Sequence, residues 1–70
     1  MLWINNDEPL YRAAVDFVRR CKAKGKTRGI YARFIRNEGM QYDKTPDGIA
    51  WLGTRLDYTA LNEAMLELDN

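Results

Sequence analysis

The chain has 70 residues, of which 46% are hydrophobic and 30% are charged, and its formal net charge is +1. A chain this short forms one domain and buries only about 60% of its unfolded surface, which excludes a core with a deep substrate pocket. There is one cysteine, so disulfides are excluded, and no histidine or serine, so the commonest general base, metal ligand and hydroxyl nucleophile are missing. We therefore expect neither an enzyme nor a resident metal or cofactor.

The composition also predicts where the protein resides. The first ten residues have no basic segment followed by an apolar one, so we expect no signal peptide. No apolar run approaches the roughly 20 residues that a transmembrane helix needs. We expect a cytoplasmic protein with no membrane partner. We expect Cys21 to be a small buried hydrophobe, and a reactive thiol activated by its neighbours Arg20 and Lys22 is the alternative.

The first predicted helix covers residues 7–24. Asn6 or Asp7 can cap its free N–H groups, and Pro9 is tolerated in a first turn. Cations are concentrated in its last turns, where they suit the negative end of the helix dipole, and the helix is expected to end at Gly25. Its apolar stripe, at helical spacing, comprises Leu10, Ala14, Phe17, Val18 and Cys21. Before this helix, we expect Leu2, Trp3 and Ile4 to lie across the bundle.

The second predicted helix covers residues 28–38, with Thr27 as its cap. Its inward face comprises Ile30, Tyr31, Phe34 and Ile35. Gly39 is typical of the left-handed residue that ends a helix, and Met40 beyond it can contact Ile35.

The remaining helices are predicted over residues 46–52 and 58–68. The sequence TPDG at 45–48 is typical of either a turn or a helix start with Pro46 in its first turn. Asp57 is the expected cap of the last helix, and its inner face comprises Tyr58, Leu61, Met65 and Leu68. Strand signals are weak, so the predicted fold is all-α: a compact bundle of three to four short helices forming a single domain over residues 1–70.

The segment KAKGKTRG at 22–29 ends like a phosphate-binding loop but does not match one. That loop needs a glycine five positions before its Gly-Lys-Ser/Thr, and this position holds Arg20. The loop also follows a buried strand, whereas a helix is predicted here. A simpler anion site at the start of the second helix, among Lys24, Lys26 and Arg28, and a merely solvated turn both remain open.

Charge is unevenly distributed along the chain. Residues 17–37 carry eight cations and no acid, whereas residues 1–16 carry a net −2 and residues 38–70 a net −5. If the first two helices pair as a hairpin, the cations form a basic surface that can contact several phosphates. The last predicted helix cannot read a DNA groove, because it holds acids and no lysine or arginine.

Two functions follow from this layout. The first is a small regulatory module that binds nucleic acid or another polyanion, with little sequence preference. Its predicted binding residues are Arg19, Arg20, Lys24, Lys26, Arg28, Arg33 and Arg36. The second is an adaptor or inhibitor that docks on a partner protein, through charge or through an exposed aromatic such as Tyr42. Opposite charges on one chain also leave a homodimer open.

Overall fold

A computed structural model describes residues 3–69, except for the side chain of Trp3. In chain order it contains a short 3-10 helix (Trp3–Asn6) and the α-helices α1 (Glu8–Ala23), α2 (Ile30–Asn37) and α3 (Tyr58–Glu67). The predicted all-α fold is confirmed, and three of the predicted helices agree with α1, α2 and α3 to within two residues at each end. Leu2 and the side chain of Trp3 lie outside the described residues.

Helix α1 begins and ends where the sequence predicts. The Asp7 carboxylate accepts a hydrogen bond from the backbone N–H of Leu10 at 3.1 Å, so Asp7 is the N-terminal cap. At the other end, the Lys26 N–H donates to the Cys21 carbonyl at 2.8 Å and the Gly25 N–H donates to the Lys22 carbonyl at 3.1 Å. These two bonds are the Schellman ending, which satisfies the last carbonyls of a helix.

Helix α2 ends as predicted but begins later. Gly39 has a φ of +73°, and the Met40 N–H donates to the Ile35 carbonyl at 3.0 Å, which confirms the left-handed ending. Thr27 is not the cap, because the residue before the helix is Gly29, which has no side chain to accept a hydrogen bond. The prediction failed since the acceptor comes from a distant part of the chain: the Asn62 amide oxygen on α3 accepts from the Tyr31 N–H at 2.9 Å.

The helix predicted over 46–52 is wrong, and a tight turn stands in its place. Gly48 donates its N–H to the Thr45 carbonyl at 2.8 Å and has a φ of +79°, a conformation that no helix continues. An antiparallel bridge joins Lys44 to Ala50 across this turn. The sequence Thr-Pro-Asp-Gly is itself the signal for such a turn, and the turn was the alternative to the helix start.

One cluster of buried residues holds the helices together. It comprises Ile4, Ala14, Val18, Cys21, Ile30, Tyr31, Phe34, Ile35, Trp51 and Met65. The prediction that Cys21 is a small buried hydrophobe is confirmed. The Phe17 ring, on α1, packs against the Phe34 ring, on α2, with 5.5 Å between centroids. Burying a large apolar side chain contributes about 1.5–3 kcal/mol, so the burial of this cluster is a large favourable contribution to the free energy of folding.

Two tyrosines tie the segment between α2 and α3 to the helices. The Tyr31 hydroxyl donates to the Trp51 carbonyl at 2.9 Å, and the Tyr58 hydroxyl donates to the Gly53 carbonyl at 2.7 Å. Their rings lie 6.2 Å apart. Burial raises the pKa of Tyr31 to about 12, and the neighbouring Tyr58 adds to the shift.

Candidate functional site

A basic groove lies between the C-terminal half of α1, the following turn and α2. Its volume is about 300 Å³. It is lined by Phe17, Arg20, Cys21, Lys24, Lys26, Arg33 and Asn37. Four of these seven residues are cations, and no carboxylate belongs to the lining within the part of the chain that the structure describes.

Helical spacing explains how these residues come together. Phe17 and Cys21 are one helical turn apart on α1, and Lys24 follows on the same face. Arg33 and Asn37 have the same relation on α2. Phe17 and Cys21 also pack with the core, so they contribute apolar surface to the lining of the groove.

Arg33 is held in place by three contacts. Its Nη2 donates to the Lys26 carbonyl at 2.6 Å and to the Cys21 Sγ at 2.9 Å. The guanidinium carbon lies 6.0 Å from the centroid of the Phe17 ring, at the distance of a cation–π contact. Arg33 therefore fixes the α1–α2 turn against α2 while it contributes positive charge to the groove.

The other three groove cations differ in whether an acid pairs with them. Arg20 forms an ion pair with Asp16, one turn earlier on α1, at 2.8 Å between Nη2 and Oδ2. That pair is exposed and weak, so Arg20 can turn towards an anion in the groove. Lys24 and Lys26 are exposed and make no ion pair within residues 3–69. Of the four groove cations, Lys24 and Lys26 are therefore the most available to an anion.

The other predicted binding residues lie outside the groove. Arg28 is exposed on the turn, and Arg36 is exposed on α2. Arg19 lies apart from them, because its Nε donates to the Asp69 carboxylate at 2.7 Å. Lys22 also approaches Asp69, at 3.9 Å. The fold therefore gathers Arg20, Lys24, Lys26 and Arg33, with Arg28 and Arg36 exposed beyond them, and it partly neutralises Arg19.

Sequence reasoning missed the uncharged part of this groove. Phe17 and Cys21 were assigned to the core alone, and Asn37 was not considered. The four-residue spacings between Phe17 and Cys21 and between Arg33 and Asn37 carried the signal, since such pairs share a helix face. What the spacing does not give is which faces of the two helices meet.

The anion site at the start of α2 stays a prediction. Among the first N–H groups of this helix, that of Tyr31 donates to the Asn62 amide oxygen at 2.9 Å, so the protein itself satisfies one of these donors. The Arg33 N–H makes the first hydrogen bond of the helix itself, to the Gly29 carbonyl at 3.2 Å. The groove gathers more positive charge than this helix start, so its side chains form the candidate site.

Other predicted features stand apart from the groove. Tyr42 is 92% exposed, which confirms it as an exposed aromatic, whereas Tyr31 and Phe34 are buried and cannot stack on a base. Glu63 and Glu67 are exposed, on α3. Within residues 3–69 no helix combines the length and the apolar character needed to cross a membrane.

These features define a class of protein: a small all-α domain with a basic groove beside its first helix–helix turn. The whole chain, residues 1–70, matches a family of unknown function, DUF7249, and the protein belongs to that family. No curated protein shows significant similarity to the chain, and neither does any solved structure.

Proposed function

We propose that the protein is a small, non-enzymatic regulatory module that binds nucleic acid or another polyanion through the α1–α2 hairpin. The observation that carries this proposal is the basic groove, where four cations line one concavity and none of the described lining residues is a carboxylate. Cations placed side by side repel one another, and an anion between them relieves that repulsion. Arg28 and Arg36 are also exposed and add positive charge to the hairpin.

Binding of this kind depends steeply on salt. Each phosphate that a lysine or arginine neutralises releases counterions, and the slope of log K against log salt changes by about 0.9 per contact on duplex DNA. The contacts go to phosphates and not to base edges, so sequence preference is small.

The test is a titration of labelled duplex and single-stranded oligonucleotides at two salt concentrations. The decisive variant reverses three exposed cations: Lys24→Glu, Lys26→Glu and Arg28→Glu. Arg33 is left unchanged because it holds the turn. The matched control is the triple variant Arg12→Glu, Lys44→Glu and Arg55→Glu, which changes net charge equally but lies outside residues 17–37.

We expect the first triple variant to lose binding and the control to keep most of it, with both retaining helical circular dichroism. Absent or salt-independent binding by the unmodified protein would refute the proposal. Equal loss in both triple variants would show that only net charge matters, and would refute a localised site.

A second candidate function is docking on a partner protein, and exposed apolar side chains favour it. Tyr42 is 92% exposed and Ile49 is 51% exposed, both on the segment that connects α2 to α3. Aromatic and apolar anchors of this kind are typical of binding hot spots. A partner protein recovered by pull-down after nuclease treatment, and lost in the variant Tyr42→Ser with Ile49→Ser, would support this function.

Two further expectations stay predictions. A cytoplasmic location is tested by fractionation of the native host. Pairing of two copies through opposite charges is tested by light scattering at low and high salt, because a charge-driven homodimer dissociates as salt rises.

A further inference from the structure

The volume of the basic groove limits the size of the anion that it can hold. Small-molecule sites have volumes of about 300–1,000 Å³, so a groove of about 300 Å³ lies at their lower end. It accommodates one phosphate with the group attached to it. The groove alone does not accommodate a duplex, whose backbone meets a protein over an extended surface, so a duplex would also need exposed cations outside it such as Arg28 and Arg36.

We propose that the groove is a site for a phosphate monoester, namely the phosphorylated end of a nucleic acid strand. This inference rests on the function proposed above and names the group that enters the groove. A monoester carries a charge of about −1.5 to −2 at neutral pH, whereas an internal phosphodiester carries −1. With four cations around one small volume, the additional charge is favoured.

The surroundings of the groove strengthen its preference for a phosphate monoester over an internal phosphodiester. Phe17 and the buried Cys21 contribute apolar surface to the lining, and the Arg33 guanidinium lies against both of them. Charge interactions beside an apolar surface are less screened than those in open solvent. The described lining contains no acid, and the acids next to it, Asp16 on Arg20 at 2.8 Å and Glu38 on Asn37 at 3.4 Å, lie outside the groove. A dianion therefore gains more here than it would on an exposed patch of equal charge.

The donors also suit three terminal oxygens. Lys24 and Lys26 each carry an ammonium with three rotatable N–H donors, which can follow a tetrahedral phosphate. Arg33 is different: its Nη2 already donates to Lys26 and Cys21, so it adds a fixed charge and leaves the rest of its donors for an anion. Asn37 adds a neutral amide whose nitrogen donates to the Glu38 carboxylate at 3.4 Å, so its oxygen and its second N–H are left for an adjoining sugar hydroxyl.

The connectivity of a nucleic acid strand favours binding of its terminal phosphate over binding of an internal one. A terminal phosphate has the strand on one side only, so the strand needs a single exit from the groove. An internal phosphate needs two exits and brings a bulky nucleotide on each side. Lys24 and Lys26 are exposed, and Arg28 is an exposed cation two residues after Lys26, so a strand attached to the phosphate can meet further positive charge on this turn.

The experiment is fluorescence anisotropy competition with short single strands of one sequence that differ only at their ends. The competitors carry a 5′-hydroxyl, a 5′-phosphate or a 3′-phosphate, and adenosine monophosphate is compared with adenosine. We expect a phosphorylated strand to compete at least about tenfold better than the hydroxyl strand, since one further charge faces several cations.

Two double variants test whether the preference for a phosphorylated end depends on the groove lysines. Lys24→Gln with Lys26→Gln should reduce the preference for a phosphorylated end to less than about twofold, and Lys44→Gln with Arg55→Gln, which loses the same charge, should preserve it. Circular dichroism establishes that both remain folded. Retention of the full preference by the first variant would overturn the site.

The outcomes separate the two proposals. Equal, salt-dependent competition by hydroxyl and phosphorylated strands would overturn the monoester site and leave polyanion binding intact. If no strand competes and none of them binds, both the polyanion-binding function and the monoester site are overturned. Preferential competition by adenosine monophosphate over the strands would support the monoester chemistry and assign the site to a free nucleotide.

Discussion

The Asn62 amide oxygen on α3 accepts a hydrogen bond from the Tyr31 N–H, near the start of α2, at 2.9 Å. The first N–H groups of a helix lack partners within the helix, and Gly29 before α2 has no side chain to supply one. A residue 31 positions away therefore caps α2. This bond makes the start of α2, and with it the groove beside it, depend on the position of α3.

Removing this cap should destabilise the protein. Asn62→Ala leaves the Tyr31 N–H without its partner, so the free energy of unfolding should fall by about 1–2 kcal/mol. Asn62→Asp is the control, because it keeps an acceptor and places negative charge at a helix N-terminus. Urea unfolding measures both variants. Equal stability of Asn62→Ala and the unmodified protein would show that the bond contributes nothing.

Arg33 should be sensitive to a change that conserves its charge. Arg33→Lys cannot reproduce the paired donation from Nη2 to Lys26 and Cys21, so we expect a loss of about 1 kcal/mol in the free energy of unfolding. Arg36→Lys, on the same helix but exposed, is the control and should stay within about 0.5 kcal/mol. Equal unfolding midpoints for the two variants would mean that Arg33 is an ordinary surface cation.

Alkaline pH should destabilise the protein through Tyr31. Its pKa is about 12 in the folded protein against 10.0 ordinarily, so the folded state keeps a proton that the unfolded state loses. The stabilisation is complete below pH 10.0 and is lost as pH rises towards 12, with a loss on the order of 1 kcal/mol by about pH 11.

The comparison variant for this prediction is Tyr31→Phe, which removes the titrating hydroxyl. It also removes the bond to the Trp51 carbonyl, so it should be less stable at neutral pH by about 1 kcal/mol. The stability gap between the two proteins should shrink as pH rises above about 10, as measured by urea unfolding. A gap that stays constant with pH would contradict the raised pKa.

Local signals in the sequence predicted most of the fold. Asp7 and Asp57 cap α1 and α3, and Gly39 ends α2, because each acts on backbone groups within a few residues. The start of α2 was mispredicted for the converse reason: its cap, Asn62, comes from α3. A short-range pattern cannot reveal an acceptor that only tertiary packing brings near.

The candidate site could be predicted only in part. The excess of cations in residues 17–37 identifies the basic segment, but not which charges face one another. Arg19 looked equivalent to Arg20 in the sequence, yet it lies against Asp69 while Arg20 lines the groove. Neighbours on a helix point about 100° apart, so the packing of α3 decides which of them meets an acid.

The turn at 45–48 should require glycine at its last position. Gly48 has a φ of +79°, and a methyl group added there would meet no atom within 4 Å, so the cost of Gly48→Ala is that of the backbone alone. We expect a loss of about 1–2 kcal/mol in the free energy of unfolding. Gly53→Ala is the control, since Gly53 lacks a positive φ and its added methyl group would make ordinary contacts at 3.7 Å. Similar stability losses in the two variants would contradict a backbone origin.

Asp69 should weaken anion binding by holding cations of α1. Its carboxylate lies 2.7 Å from Arg19 and 3.9 Å from Lys22, so Asp69→Asn releases both charges. Since Arg19 is mostly exposed, the stability loss should stay below about 1 kcal/mol, while affinity for a single-stranded oligonucleotide at low salt should rise about twofold or more. Asp47→Asn, the control, removes the same charge from an exposed residue of the connecting segment. If the two variants bind equally tightly, the gain reflects net charge, and the pairing of Arg19 with Asp69 has no bearing on the basic surface.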